Sequence, residues 1–301
     1  MESRLIAAEG GQVAVAYHAP ATEIAGRPLL VALHGGTYTS TYFAVAGGPA
    51  GSFLDIAARN GFPVLTVDRP GYGTSTLLPE EDNTFARQAE ILDRVIAAAL
   101  NRWPAPAVVL VGHSIGGMIS LEIAARPPRW PLAGVTTSGN GARIPAGGAA
   151  EALGALPLSG VVDLPVADRD GVMFGPVGSF TEAARDAAHG SYAPTPFVEL
   201  VRAPVWAAER LTTVAAAVRV PVLTVLAEYD ALWDSSAAAR ADYESRFSGP
   251  VSAPVLPGTG HSIDHHLMGS ALDLMQLGFA EECAVRLAQA APAGSQAAPV
   301  G

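Results

Sequence analysis

Four short apolar runs recur along the chain, and none of them shows the apolar–polar alternation of a half-exposed strand. They cover residues 29–33, 63–67, 107–111 and 220–226. Strands of a parallel sheet are covered by helices on both faces, so they read as continuous runs rich in Val and Leu. The four runs therefore predict strands of a mostly parallel, buried sheet.

Helical patterns lie between these runs. Residues 85–100 carry apolar side chains at helical spacing with charged ones on the opposite side, and residues 115–125 and 236–247 follow the last two runs. Residues 2–8 and 12–18 predict an N-terminal hairpin. Strands that alternate with helices indicate an α/β fold with a mostly parallel β-sheet flanked by helices.

Residues 141–215 break this alternation and are rich in Pro, Gly and Ala. A loop of this length without secondary structure is uncommon inside a compact domain. We therefore predict an inserted helical cap above the sheet, with helices at 181–189 and at 196–218. The second helix contains Pro204, which predicts an interruption there.

The cap divides the predicted core into two stretches of sequence, residues 1–140 and 216–287. With 301 residues the chain is long enough for one large core and an insertion. The final segment, 288–301, consists largely of Ala, Pro, Gly and Ser, and we predict that it is disordered.

The Gly112–Gly116 segment has the form Gly-X-Ser-X-Gly and lies between the third apolar run and a helical pattern. A nucleophile elbow needs this strand–turn–helix context, with small residues two positions before and after the serine. Ser114 is thus the candidate nucleophile, and the N–H of Ile115 is placed to stabilise an oxyanion. The alternative is a glycine-rich turn with an incidental serine.

A second glycine-containing turn follows the first apolar run, as His34-Gly35-Gly36-Thr37. A backbone N–H from this loop would complete an oxyanion hole with Ile115. Gly36 is the first candidate donor and Thr37 the second, while His34 reads as a structural hydrogen-bonding residue. An ordinary turn after a strand is the alternative.

A serine nucleophile needs a base, and the base needs an orienting acid. His261 lies in a glycine-containing loop late in the chain, and His265 and His266 are the fallback candidates. Asp230 follows the fourth apolar run and is the candidate acid, with Asp234 as its competitor. The order serine, acid, histidine fits the elbow arrangement.

Taken together, these motifs resemble the α/β-hydrolase superfamily over nearly the whole chain. The family's oxyanion motif is matched by His34-Gly35-Gly36, its D-x-x-G-x-G-x-S segment by Asp68 to Ser75, its elbow at Ser114, its acid at Asp230, and its Gly-His pair by Gly260-His261. The resemblance implies the fold, but says little about the substrate because this fold hosts many chemistries.

The reaction we predict is cleavage of a hydrophobic ester, thioester or lactone through an acyl-enzyme on Ser114, without a metal or organic cofactor. Acyl transfer or cyclisation, carbon–carbon bond hydrolysis and a cofactor-free oxygenase-like reaction use the same fold, and a non-catalytic ligand-binding protein is a further alternative. Large apolar side chains in and beside the predicted cap are the candidate substrate contacts: Tyr38, Phe174, Phe180, Trp206 and Trp233.

Charge and composition exclude other classes of partner. The net charge is −10, and no run of Arg could follow a phosphate backbone, so we predict no nucleic-acid partner. No stretch is apolar enough to span a bilayer and the N-terminus does not read as a signal peptide, which with the single Cys283 predicts a cytoplasmic protein. A homo-oligomer is compatible with the sequence.

The segment from His261 to His265 also has an H-x-x-D-H spacing, which could place two metal ligands on one helical face. The inverted zinc-protease motif has Glu where Asp264 stands, and no third ligand is evident. We therefore predict no metal site.

Overall fold

A computed structural model describes residues 1–156 and 158–290 of the chain. Its strands are β1 (Glu2–Ala8), β2 (Gly11–His18), β3 (Leu29–Leu33), β4 (Val64–Val67), β5 (Val108–His113), β6 (Leu132–Ser138), β7 (Val161–Val162), β8 (Thr195–Pro196), β9 (Val222–Ala227), β10 (Val251–Ser252) and β11 (Val255–Leu256). Its α-helices are α1 (Phe53–Arg59), α2 (Phe85–Arg102), α3 (Ile115–Ala125), α4 (Ala149–Gly154), α5 (Val166–Met173), α6 (Glu182–His189), α7 (Phe197–Glu209), α8 (Leu211–Ala217), α9 (Ala237–Ser245) and α10 (Gly269–Ala290).

The central sheet has the order β1-β2-β4-β3-β5-β6-β9-β10, and β11 also pairs with β9. The hairpin strands β1 and β2 are antiparallel to each other, and β2 is antiparallel to β4. All other pairs in this sheet are parallel. The predicted mostly parallel sheet is therefore confirmed, and the carboxyl ends of its parallel strands meet at one edge.

Helices cover both faces of this sheet because its central strands are apolar on both sides. In β3, Val31 and Leu33 pack into the core cluster that contains residues of α2, α3 and α8. Leu30 and Ala32 point the other way, into the cluster that contains residues of α1 and α10. Alternate side chains of one strand thus fill two separate cores.

The segment between β6 and α8 contains α4 to α7 and a two-residue antiparallel ribbon of β7 and β8. The predicted interruption at Pro204 is wrong, because α7 continues through that residue and ends at Glu209. Trp206 and Ala207, which follow the proline, are buried in the core. Their packing holds the helix together despite the hydrogen bond that Pro204 cannot donate.

Two predicted boundaries differ from the structure. The boundary at residue 215 falls inside α8, whose Leu211 and Val214 belong to the core cluster of α2 and α3. Helix α10 extends to Ala290, into the segment predicted as a tail, and the rest of that segment lies outside the described residues. Among the described residues, no helix is long and apolar enough to cross a membrane.

Candidate active site

Ser114 lies on a sharp turn between β5 and α3. Its backbone has φ +51° and ψ −121°, a conformation that L-residues rarely adopt and that usually costs about 1–3 kcal/mol. The start of α3 also lies very close to the end of β3, since a Cβ added to Gly116 would be 2.0 Å from the carbonyl oxygen of Leu33. Only glycine fits there, which explains the predicted Gly-X-Ser-X-Gly spacing.

His261 and Asp230 lie beside this serine. The Nε2 atom of His261 is 2.9 Å from Ser114 Oγ, and its Nδ1 atom is 3.0 Å from each carboxylate oxygen of Asp230. The side chains of His261 and Asp230 are fully buried, and Ser114 is 8% exposed. An ionised carboxylate only accepts hydrogen bonds, so Nδ1 donates to Asp230 and Nε2 remains free to accept the serine proton.

The two candidate acids have different surroundings. Asp230 faces His261 and also accepts hydrogen bonds from the backbone N–H groups of Leu232 (2.9 Å) and Trp233 (3.3 Å). Asp234 instead accepts from the backbone of Ser236, at the exposed start of α9. The geometry therefore brings Asp230, and not Asp234, to the imidazole.

The loop that carries His261 is fixed by His266, whose part the sequence did not reveal. His266 Nε2 accepts hydrogen bonds from the backbone N–H groups of Gly260 (3.0 Å) and Gly175 (2.9 Å), while its Nδ1 donates to the Ser262 carbonyl (2.8 Å). Burial lowers the pKa of His266 to about 4, so the ring is neutral and can accept in this way. His266 is thus a structural residue of the loop.

Residues from two segments line the cavity beside Ser114 and are the predicted oxyanion donors. Ile115 begins α3, whose first N–H groups have no intrahelical acceptors, and no side chain caps this end. Gly36 and Thr37 line the same cavity as Ser114, and Thr37 has a positive φ of 65°. The Thr37 hydroxyl is buried without a partner among the described residues. These groups can together hold a negatively charged oxygen.

An internal cavity of about 260 Å³ opens onto Ser114 and His261. Its wall is mostly apolar and comes from the α4–α5 segment, from α7 and from the catalytic edge of the sheet, with Leu153, Val172, Leu200 and Trp233 as examples. Asp168 and Arg169 of α5 also line this wall, and the Arg169 guanidinium is paired with Asp163.

Among the predicted substrate contacts, only Trp233 lies in this wall; Tyr38, Phe174, Phe180 and Trp206 do not. Tyr38 is fully buried and hydrogen-bonded to the Ser262 hydroxyl (3.0 Å). Phe174 and Phe180 pack against each other with ring centroids 4.7 Å apart, and Trp206 donates to Glu122 (2.9 Å). These four side chains pack in the interior outside the cavity, so the prediction that they line the same cavity as Ser114 is wrong for all four.

The H-x-x-D-H side chains are engaged separately. Asp264 accepts a hydrogen bond from the Tyr42 hydroxyl (2.6 Å), and burial raises the pKa of its carboxyl to about 6. His265 Nε2 donates to the Tyr42 carbonyl (3.2 Å). Within the described ranges, no group of three or more His, Cys, Asp or Glu residues is arranged to hold a metal ion.

Comparison with known proteins agrees with this architecture. Protein phosphatase methylesterase 1 of Mus musculus is 31% identical over 98 residues, and an uncharacterized hydrolase, YugF, of Bacillus subtilis is 31% identical over 105. The matches cover 33% and 34% of this chain, and only 24% and 33% of those relatives.

A solved structure of the N-acyl homoserine lactonase AidH, complexed with N-butanoyl homoserine, superposes with a TM-score of 0.67 at 17% identity. The superposition covers 94% of this chain and 97% of that one, and it establishes a shared fold. Residues 30–272, most of the chain, match the model of the Alpha/beta hydrolase family. The chain therefore belongs to the alpha/beta hydrolase family.

Proposed function

We propose that this protein is a serine hydrolase that cleaves a small hydrophobic ester, thioester or lactone through an acyl-enzyme. The observation that carries the proposal is the continuous hydrogen-bonded chain from Ser114 through His261 to Asp230, with distances of 2.9 and 3.0 Å. This hydrogen-bonded series opens onto a largely apolar cavity that is also lined by the candidate oxyanion donors Ile115, Gly36 and Thr37.

In the first step, Ser114 Oγ attacks the substrate carbonyl carbon while His261 Nε2 takes the hydroxyl proton. Asp230 stabilises the resulting imidazolium, and the amides of Ile115 and Gly36 or Thr37 stabilise the oxyanion. The imidazolium then protonates the leaving group as the bond to the acyl carbon breaks. Water then attacks the acyl carbon while His261 takes its proton; the bond between the acyl carbon and Ser114 Oγ breaks, the imidazolium returns the proton to Oγ, and the acid leaves.

The cavity indicates the kind of substrate. Its volume of about 260 Å³ lies slightly below the roughly 300–1,000 Å³ of typical ligand pockets, which favours a small molecule. An apolar wall favours an acyl or alcohol group without charge, because a buried charge without a partner is costly. Asp168 and Arg169 are the charged residues of the wall, and Arg169 is already paired with Asp163, so it does not require a charge on the substrate.

A fluorophosphonate probe tests the proposed nucleophile directly. Because the serine is activated by a neighbouring base, we expect the folded protein to be labelled at Ser114, and mass spectrometry of a tryptic digest should locate the adduct. Heat-denatured protein should not react, since the activation depends on the folded geometry. A folded protein that is not labelled, or is labelled at another serine, would instead favour a ligand-binding role or a different site.

Chain-length preference tests the cavity. Replacing Leu153 by Ala should enlarge the cavity and raise kcat/KM for an octanoate ester relative to an acetate ester. We expect the difference in activation free energy between the two esters to change by about 1–3 kcal/mol. Parallel kinetics on the two p-nitrophenyl esters would measure this shift. Phe180→Ala is the matched control, because Phe180 packs on Phe174 outside the cavity.

The control should lower the melting temperature and leave the ratio between the two esters unchanged. If Phe180→Ala changes the ratio and Leu153→Ala does not, the substrate lies beneath the cap and not in this cavity.

A further inference from the structure

Arg69 and Glu199 form an ion pair in the interior of the protein. Arg69 Nη1 lies 3.0 Å from Glu199 Oε2, and both side chains have no exposed surface. Arg69 lies two residues after the end of the core strand β4. Glu199 lies in the first turn of the cap helix α7. A buried ion pair is weak evidence for stability, because desolvation offsets its attraction. Because the pair joins the loop after β4 to helix α7, we consider a role for it in the candidate active site.

Arg69 holds the loop that supplies one side of the candidate oxyanion hole. Its Nε donates to the His34 carbonyl (2.8 Å), and its Nη2 donates to the Gly35 carbonyl (3.1 Å). Its backbone N–H also donates to His34 Nε2 (3.1 Å). One planar guanidinium thus fixes two consecutive carbonyl groups, which a single ammonium could not do with the same geometry.

The planarity of the peptide bond passes this constraint on to the next amide. In a trans peptide the carbonyl oxygen and the following N–H point in opposite directions. Because Arg69 binds the carbonyl of Gly35, the N–H of Gly36 must point away from Arg69. Gly36 lines the cavity that contains Ser114, so the guanidinium orients this donor from behind.

Glu199 links this arrangement to the cap. Besides Arg69, its carboxylate accepts hydrogen bonds from the Tyr72 hydroxyl (2.9 Å) and the Gln88 amide (2.5 Å). The next residue, Leu200, lies so close that a Cβ on Gly36 would be 2.9 Å from its Cδ2 atom. A separate cap segment adds a bond from the N–H of Ala193 to the Thr37 carbonyl (2.8 Å).

We propose that Arg69 and Glu199 are positioning residues, which hold the Gly36 amide in its donor orientation and make that orientation depend on the docking of α7. This inference rests on the proposed serine hydrolase function. An amide that points at the developing oxyanion stabilises the transition state. The pair therefore acts on transition-state stabilisation and not on substrate binding.

The test compares two buried glutamates that both tie α7 to the core. Glu122 of α3 accepts hydrogen bonds from Trp206 (2.9 Å) and Arg210 (3.0 Å), far along α3 from its catalytic end, and so provides a matched control. We expect Glu199→Gln to lower kcat by about 10- to 100-fold with little change in KM. That loss is smaller than the roughly 10²–10³ that follows removal of an oxyanion donor. Glu122→Gln should lower the melting temperature and keep kcat within about two-fold.

Two further measurements make the outcome decisive. A trifluoromethyl ketone inhibitor, which forms a tetrahedral adduct, should lose affinity in Glu199→Gln by about the same factor as kcat. Hydrogen exchange of the peptide containing residues 34–38 should become faster in Glu199→Gln and not in Glu122→Gln, and this readout does not require enzyme activity. If Glu199→Gln does not fold, Arg69→Lys is the second variant, because it keeps the positive charge and loses the planar guanidinium that binds two carbonyl groups. It should show the same loss of kcat and inhibitor affinity and the same faster exchange.

A variant that loses stability but keeps wild-type kcat, inhibitor affinity and exchange in this peptide would show that the pair is only structural, and the proposal would be overturned. If the wild-type protein itself neither hydrolyses esters nor reacts with the fluorophosphonate, the proposed function fails. In that case the exchange experiment still decides whether Glu199 orders the loop.

Discussion

Replacing Ser114 by Ala is expected to abolish ester hydrolysis, with a fall in kcat on the order of 10⁴ to 10⁶ and a native fold. In the proposed mechanism the Ser114 hydroxyl oxygen forms the acyl-enzyme, and no other described hydroxyl lies within hydrogen-bond distance of His261 Nε2. Initial rates on p-nitrophenyl acetate and a thermal melt would measure both parts. Water activated by His261 could account for the residual rate.

Ser120→Ala is the matched control for this experiment. Ser120 lies on the same helix, is fully buried, and donates a hydrogen bond to the Gly116 carbonyl (2.8 Å) within the elbow helix. Its loss should cost about 1 kcal/mol of folding free energy and leave kcat within a few-fold. Near-wild-type turnover in Ser114→Ala would show that the nucleophile lies elsewhere.

Asp230→Asn is expected to lower kcat by about 10⁴. The amide that replaces the carboxylate can donate a hydrogen to His261 Nδ1, which would place the ring hydrogen on Nε2. In that tautomer Nε2 cannot accept the proton of Ser114. Measurement of kcat across a range of pH would show the loss at every pH at which the wild-type enzyme is active.

Asp234→Asn provides the comparison, because this residue lies four positions away and its carboxylate accepts a hydrogen bond from the backbone at the start of α9 and not from His261. We expect less than a ten-fold effect on kcat from this change. The opposite ranking of the two variants would transfer the role of the acid to Asp234.

The sequence predicted those parts of the molecule whose determinants are local. Four of the parallel strands, β3, β4, β5 and β9, were visible as apolar runs, and the strained turn at Ser114 was visible because only glycine fits beside it. Asp230 and His261 could be proposed because Asp230 follows an apolar run, His261 lies in a glycine-containing loop, and both come after Ser114 in the expected order. This reasoning needs only the neighbours along the chain and the topology of the fold.

The segment between β6 and α8 could not be predicted in the same detail, since the orientation of its helices depends on packing. Phe174 and Trp206 are large and apolar, but nothing in the sequence shows whether they face the cavity or the core. Arg69 and Glu199 are 130 residues apart, and no periodic pattern relates them. The segment from Asp68 to Ser75 was matched to a family motif, but nothing in the sequence indicated that Arg69 contacts α7.

The segment between β6 and α8 is attached to the core unevenly: α7 is held by buried side-chain hydrogen bonds, whereas α4 and α5, within the described ranges, are not. Helix α7 is held at Glu199 and, through Trp206, at Glu122, so that a shift of this helix would break buried hydrogen bonds. Among the described residues, the side chains of α4 and α5 form hydrogen bonds only with groups of the segment between β6 and α8 itself, such as those from Arg169 to Asp163 and from Tyr192 to Asp170. We therefore expect α4 and α5 to tolerate insertion, deletion and replacement better than α7 does. Diversification of substrate choice within such a lineage could then proceed through α4 and α5 while the hydrolytic machinery is inherited intact.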